Sequence, residues 1–249
     1  MEIINLLIIL GVGLLAGFIN TVAGGGSLLT MPVLIFLGLP PAVANGTNRV
    51  AIFIQSFFGV AGYKSKGISA FPYSLWLGIS ALLGAIVGAK IAVEISGELF
   101  ERILAIVMVG VIVVTVFGSP GSKGDMMEKM SKKQRVLAII VFFFIGIYGG
   151  FIQAGVGFII LAALTLINRF TLVKANSAKV FVILVYTASA LMVFIIEDKI
   201  EWLPGLILAV GNSAGAWFGS RWAVDKGEKW IKIILIIAVT GMAIKLWFG

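Results

Sequence analysis

The sequence predicts an all-α integral membrane protein of about eight transmembrane helices, built as two repeated four-helix halves with re-entrant or broken segments. Three observations lead there. Of 249 residues, 60% are hydrophobic and 12% charged, whereas soluble domains carry about 25% charged residues, so too little polar surface exists to cover a globule in water. Apolar runs recur from end to end, at lengths near the roughly 20 residues a helix needs to cross the hydrocarbon core. Landmarks of the first half also return in the second. GFIN at Gly17 is matched by GFIQ at Gly150, NGTNRV at Asn45 by ANSAKV at Ala175, and GAIVGAKIAVE at Gly84 by GAWFGSRWAVD at Gly215, at spacings of 133, 130 and 131.

The apolar segments run over 3–22, 27–38, 42–63, 70–93, 99–118, 135–167, 176–196, 202–221 and 229–248. The second would span about 18 Å as a helix, too short to cross, so it is a re-entrant limb or half of a discontinuous helix. Pro40 and Pro41 separate it from the next long helix, because proline lacks an amide donor and is tolerated at a helix start. The 135–167 run is too long for one crossing and contains GGFIQAGVG from Gly149 to Gly157, which marks a second break. Eight crossings result, with seven the nearest alternative. One transmembrane domain then covers 1–249, with repeat halves 1–118 and 135–249 joined by the charged loop 119–134. An even number of crossings per half makes the halves parallel, but a re-entrant limb changes the parity, so their relative orientation stays open.

Lys123, Lys129, Lys132, Lys133 and Arg135 place the central loop in the cytoplasm by the positive-inside rule. Eight crossings bring both termini, Lys64 and Lys66 to that side. Arg221, Lys226, Lys229 and Lys232 then fall outside and oppose the assignment. Glu2 and the lack of a cation in Met1–Asn5 argue against a cleaved signal peptide.

Several function classes are disfavoured. With neither cysteine nor histidine, the chain has no disulfide, thiolate or imidazole chemistry. No HExxH, acidic pair within an apolar segment or Ser-His-Asp set can be assembled, and Glu94, Glu98, Glu101, Glu197, Asp198, Glu201, Asp225 and Glu228 gather near segment ends. The reading is therefore a non-enzyme without cofactor or metal, and without an evident buried-carboxylate proton relay. A net charge of +8 does not indicate nucleic acid, since the cations sit at segment ends and form no recognition element. The partners are a lipid bilayer and a small anion; coupling to protons or another ion, and self-association, stay open.

The candidate site lies at the breaks. Asn45, Thr47, Asn48 and Arg49 occupy the first turns of the helix after Pro41, where free amides and the positive dipole end face an anion. Asn176, Ser177 and Lys179 hold the comparable place in the second half. In AGGGS, Gly24, Gly25 and Gly26 allow close backbone approach next to Ser27, and the Walker spacing is absent. Asn20 and Thr21 line the first break and Gln153 the second, while Gln55 extends the polar face of Arg49. Two other readings stand beside this one. Arg49 and Lys179 snorkel to headgroups while the asparagines cap helices, and the break glycines serve helix packing, which is the preferred reading for Gly84, Gly88, Gly215 and Gly219.

The glycine-rich break, GLPPAVANGTNR from Gly38 to Arg49, its second-half counterpart and the hydrophobic pattern over almost the whole chain resemble the TauE/SafE sulfite-exporter family. That resemblance implies a multi-pass carrier of the prokaryotic inner (plasma) membrane that moves a small sulfur anion such as sulfite or an organosulfonate, commonly outward. It implies a lining of Asn20, Gly24, Gly25, Gly26, Ser27, Asn45, Thr47, Asn48 and Arg49 from one half. Gln153, Gly155, Gly157, Asn176, Ser177 and Lys179 come from the other. Ala178 replaces the counterpart of Asn48, which argues against equal roles for the halves. The expected mechanism is alternating access at these breaks; a selective anion channel and a nontransporting membrane interaction protein are the alternatives.

Overall fold

A computed structural model describes residues 3–117 and 128–248. Among them are α1 (Ile3–Val22), α2 (Ser27–Phe36), α3 (Pro41–Ser65), α4 (Tyr73–Glu94), α5 (Gly97–Phe117), α6 (Lys132–Phe151), α7 (Val156–Ile167), α8 (Leu172–Ile196) and α9 (Trp202–Phe248), and no strand. Helices α1, α4, α6 and α8 are each long and apolar enough to cross a membrane. The two breaks fall where the glycines stand. Gly24 takes φ +98° between α1 and α2, and Gln153 and Gly155 take φ 61° and 70° between α6 and α7. Left-handed backbone is strained for a residue with a Cβ, so Gln153 is held there by its surroundings. Pro41 opens α3 and Thr171 Oγ1 caps α8 by accepting from the Lys174 amide.

The expected crossings at 202–221 and 229–248 lie within one unbroken helix. At 47 residues α9 is about 70 Å long, more than twice the hydrocarbon thickness. The eight-crossing count is therefore not reproduced among the described residues, where seven long helices accompany the short α2 and α7. Most of the charged loop, including Lys123, lies outside the described residues.

Glycines set the tightest helix pairs. Gly13 and Gly17 of α1 lie against Leu208 and Asn212 of α9, and Gly146 and Gly150 of α6 against Ala81 and Ala85 of α4. From the α4 side, Gly84 and Gly88 meet Phe143 and Ile147; from the α9 side, Gly211 and Gly215 meet Leu10 and Leu14. Without a Cβ the backbones approach closely, which is how helices associate in lipid. The sequence match paired Gly84 with Gly215 and Gly88 with Gly219; packing pairs them with Gly211 and Gly215, one turn earlier. Small residues every fourth position fit equally well after a one-turn slip, so sequence cannot fix that register.

These contacts also fix direction. Residues rise together in α1 with α9, in α3 with α9, in α4 with α6 and in α4 with α8, so each pair is parallel. Helices α3 and α8 are antiparallel, since Gly46 meets Phe194 while Gly59 meets Val180. Lys66 pairs with Asp225 and Lys174 with Glu128, and the Ser177 hydroxyl donates to the Ile68 carbonyl. One end of the bundle thus gathers Lys64, Lys66, Lys129, Lys132, Lys133, Arg135, Arg169, Lys174, Arg221 and Lys226. The other carries Glu94, Glu98, Glu101, Glu197, Asp198 and Glu201, with Lys90, Arg102 and Lys199. Two expectations change. Arg221 and Lys226 share the basic end instead of opposing it, and Ile3 at the start of α1 lies at the acidic end, away from Lys64 and Lys66.

Candidate functional site

The two breaks touch. A Cβ on Gly24 would lie 2.6 Å from Gly157 Cα, so the glycines expected to cradle a ligand here pack backbone to backbone. Gly25 sits under the Phe158 ring and Gly26 against the Ala16 carbonyl and Asn20 Cβ.

On either side of this contact stands a buried cation. Arg49, 0% exposed, donates from its Nη atoms to the Gly149 carbonyl at 2.9 Å and the Gly150 carbonyl at 2.5 Å, in the last turn of α6. Lys179, also 0% exposed, donates to the Asn20 and Thr21 carbonyls at 2.9 and 3.1 Å, in the last turn of α1. Each cation thus stabilises the negative dipole end of a helix from the other part of the chain. An asparagine completes each cap: the Asn45 amide donates to the Phe151 carbonyl at 2.8 Å, and the Asn176 amide to the Val22 carbonyl at 2.9 Å. Lys179 further donates to Asn176 Oδ1. With no exposure, neither cation snorkels to a headgroup.

The cations do not converge as the sequence reading expected. With α3 antiparallel to α8, Lys179 lies near residue 60 of α3, about 17 Å along the axis from Arg49. The Gly24–Gly157 contact falls between them.

Two hydrogen-bonded groups of polar side chains include Arg49 and its neighbour Asn48. Gln153 Oε1 accepts from Tyr186 Oη at 3.0 Å and from Arg49 at 3.4 Å, and Thr30 Oγ1 donates to Asn48 Oδ1 at 2.7 Å. On α2 and α3 three donors, Ser27 Oγ, Asn48 Nδ2 and Arg49 Nε, and two acceptors, Asn45 Oδ1 and Gln55 Oε1, remain buried without a partner. Such groups cost about 1–3 kcal/mol each unless something pairs with them. At the spacings of the sequence match, the positions corresponding to Ser27, Thr30 and Asn48 are Ile160, Ala163 and Ala178, all apolar. Ser27, Thr30 and Asn48 therefore have no polar counterpart in the second half, in line with the Ala178 departure.

Thr47 and Ser177 stand apart from these groups. Thr47 Oγ1 accepts from the Glu201 amide at 2.9 Å, and Ser177 holds the Ile68 carbonyl. Gly155 begins α7 and serves the turn. Sequence reasoning missed Thr30 and Tyr186. A signal for Tyr186 existed, because it lies 131 positions after Gln55, the spacing of the repeat. Asn212 was also missed; it is fully buried on α9 with both amide atoms unpartnered. A recess of about 650 Å³ between α3 and α9 is lined by Ile54, Phe58, Leu206, Val210, Trp217 and Phe218 among others. Its apolar walls suit lipid chains.

Long apolar helices, paired breaks and buried cations held on helix ends define a helical membrane protein. Residues 9–246 match the sequence profile of the family described as sulfite exporter TauE/SafE, and the chain belongs to that family. It is 29% identical over 238 residues to a protein of Escherichia coli (strain K12) named "Probable membrane transporter protein YfcA", covering 95% of this chain and 87% of that one. Identity to "Probable membrane transporter protein ORF9" of Sinorhizobium sp. is 28% over 232 residues, 93% and 88% of the two chains. A "Probable membrane transporter protein" of Haemophilus influenzae is 28% identical over 248 residues, 98% and 96%. No solved structure matches the chain significantly.

Proposed function

We propose that the chain is a secondary carrier of a small oxyanion, moved by alternating access, with sulfite or an organosulfonate as the substrate class that the family description suggests. The observation carrying this reading is uncompensated charge. Arg49 and Lys179 are wholly buried, and no carboxylate is buried with them among the described residues. Carbonyl dipoles offset part of each charge, but a buried cation without a counter-ion stays costly. An anion beside Arg49 relieves part of that cost. Ser27 Oγ, Asn48 Nδ2 and Arg49 Nε supply donors for its oxygens, with Asn20 at the turn beside them. Asn45, Thr47, Gln153, Asn176 and Ser177 then hold the surrounding helices.

The carrier works through two inverted halves. Antiparallel α3 and α8, capping each other's partner helices with an asparagine and a cation, support that relation, as does the meeting of Gly24 and Gly157 at equivalent places. The closed backbone contact between the breaks favours a carrier over an open channel. By the positive-inside rule the basic end faces the cytoplasm of a prokaryotic cell and the start of α1 the outside. Flux of sulfite, taurine and acetate into proteoliposomes tests the reading: a carrier saturates and prefers the sulfur anions. Linear, unsaturable flux would return the channel, and no flux from folded, inserted protein would return the nontransporting interaction protein.

A further inference from the structure

The basic end contains a recess of about 270 Å³ between the last turn of α3, the 66–72 turn and the first turns of α4 and α8. Lys64, Ser69, Ser74 and Ser177 line it together with the rings of Phe71 and Phe181. Its polar groups are unevenly engaged. Ser177 Oγ donates to the Ile68 carbonyl and Ser69 Oγ accepts from the Phe71 amide. Ser74, 1% exposed, has no partner for its hydroxyl among the described residues. Lys66 and Lys174 nearby are paired with acids, whereas Lys64 has no ion pair among the described residues. The floor of the recess reaches Ser177, which adjoins Asn176 and lies two positions from buried Lys179.

At the acidic end the matching place is filled. Thr47, which the spacing of 130 pairs with Ser177, follows Gly46, and Gly46 lies against the Lys199 carbonyl with the Phe194 ring 2.8 Å from where its Cβ would be. Thr47 Oγ1 latches the same turn through the Glu201 amide. At the same spacing Phe194 stands where Lys64 does in the other half.

We propose that the Lys64 recess is a vestibular site for a small oxyanion, one step before Lys179, and that the 197–201 turn closes the opposite mouth. This rests on the anion-carrier reading above. An unpaired ammonium at the rim draws the anion in, the Ser69 and Ser74 hydroxyls donate to its oxygens, and the two rings shape the walls. The arrangement also makes the two mouths electrostatically unlike, since Glu197, Asp198 and Glu201 surround the closed one.

Because the chain has no cysteine, single cysteines report the recess without background. Ser74→Cys and, as a second variant, Ser69→Cys are reacted in nanodiscs with a sulfonate-bearing and a trimethylammonium-bearing methanethiosulfonate, with rates normalised to a free thiol. The anionic reagent is expected to react roughly tenfold faster, the preference falling towards unity when Lys64→Gln is added. Thr47→Cys at the closed mouth is expected to be unreactive. Equal rates for the two reagents, or a preference that survives Lys64→Gln, overturns the site; rapid labelling of Thr47→Cys overturns the closed mouth. Anion flux in the same protein separates this proposal from the one it rests on. A Lys64-dependent preference without flux keeps the vestibule and removes the carrier, and flux without the preference does the reverse.

Discussion

Arg49 occupies a place that only arginine fills well. Its planar fork reaches two successive carbonyls of α6 and Gln153 at once, and Nε is left buried without a partner. Lysine keeps the charge but not the fork. Arg49→Lys is therefore expected to remain folded by size-exclusion chromatography while lowering anion flux about tenfold. Arg49→Gln leaves Gly149 and Gly150 carbonyls without their donor, at about 1–3 kcal/mol each, and is expected to lower the melting temperature as well as flux. An Arg49→Lys protein with full flux would show that Nε has no part in binding. The residue types at Asn45, Arg49, Asn176 and Lys179 were legible in the sequence because they recur at spacings of 131 and 130 beside glycine breaks. Their partners were not, since a cation bound to helix-end carbonyls a hundred residues away leaves no mark in local sequence.

Individual helices divide their glycines between two uses, and substitution separates them. A Cβ on Gly17 would enter the Asn212 backbone, and one on Gly157 would enter Gly24. Gly11 on the same α1 has nothing within 4 Å. Gly17→Ala and Gly157→Ala are expected to destabilise by at least the 1–3 kcal/mol typical of overpacking. Gly11→Ala is expected to be neutral or slightly stabilising, because alanine favours helix. Thermal unfolding in detergent checks the order, and equal melting temperatures for Gly11→Ala and Gly17→Ala would contradict the α1–α9 packing. Short α2 and the break before α7 followed from length and from GGFIQAGVG. The α4–α9 register did not, because GxxxG patterns are blind to a one-turn slip. Nor did the continuity of α9, where the charged stretch from Asp225 reads as an interface but is compatible with helix.

At the scale of the molecule, charge is sorted by end. Lys66 and Asp225 meet at the basic end, while Glu98 and Ile4 lie at the acidic one. In right-side-out vesicles, impermeant thiol reagents are expected to label Ile4→Cys and Glu98→Cys from outside but Lys66→Cys only after permeabilisation. Joint labelling of Ile4→Cys and Lys66→Cys from one side would break the parallel course of α1 and α3. The sequence alone could not reach this arrangement, because parity depended on whether α2 counted as a crossing, and the antiparallel contact of α3 with α8 decides direction without any count. That arrangement puts one buried cation on each side of the Gly24–Gly157 contact, and the transport proposal stands on those two charges. Neutralising them is the most direct test: sulfite and taurine flux in proteoliposomes for Arg49→Gln, Lys179→Gln and the wild-type chain, each normalised to folded, inserted protein. Saturable flux in the wild type, lost in both variants, is the expected result; flux that persists unchanged when both charges are removed would contradict it.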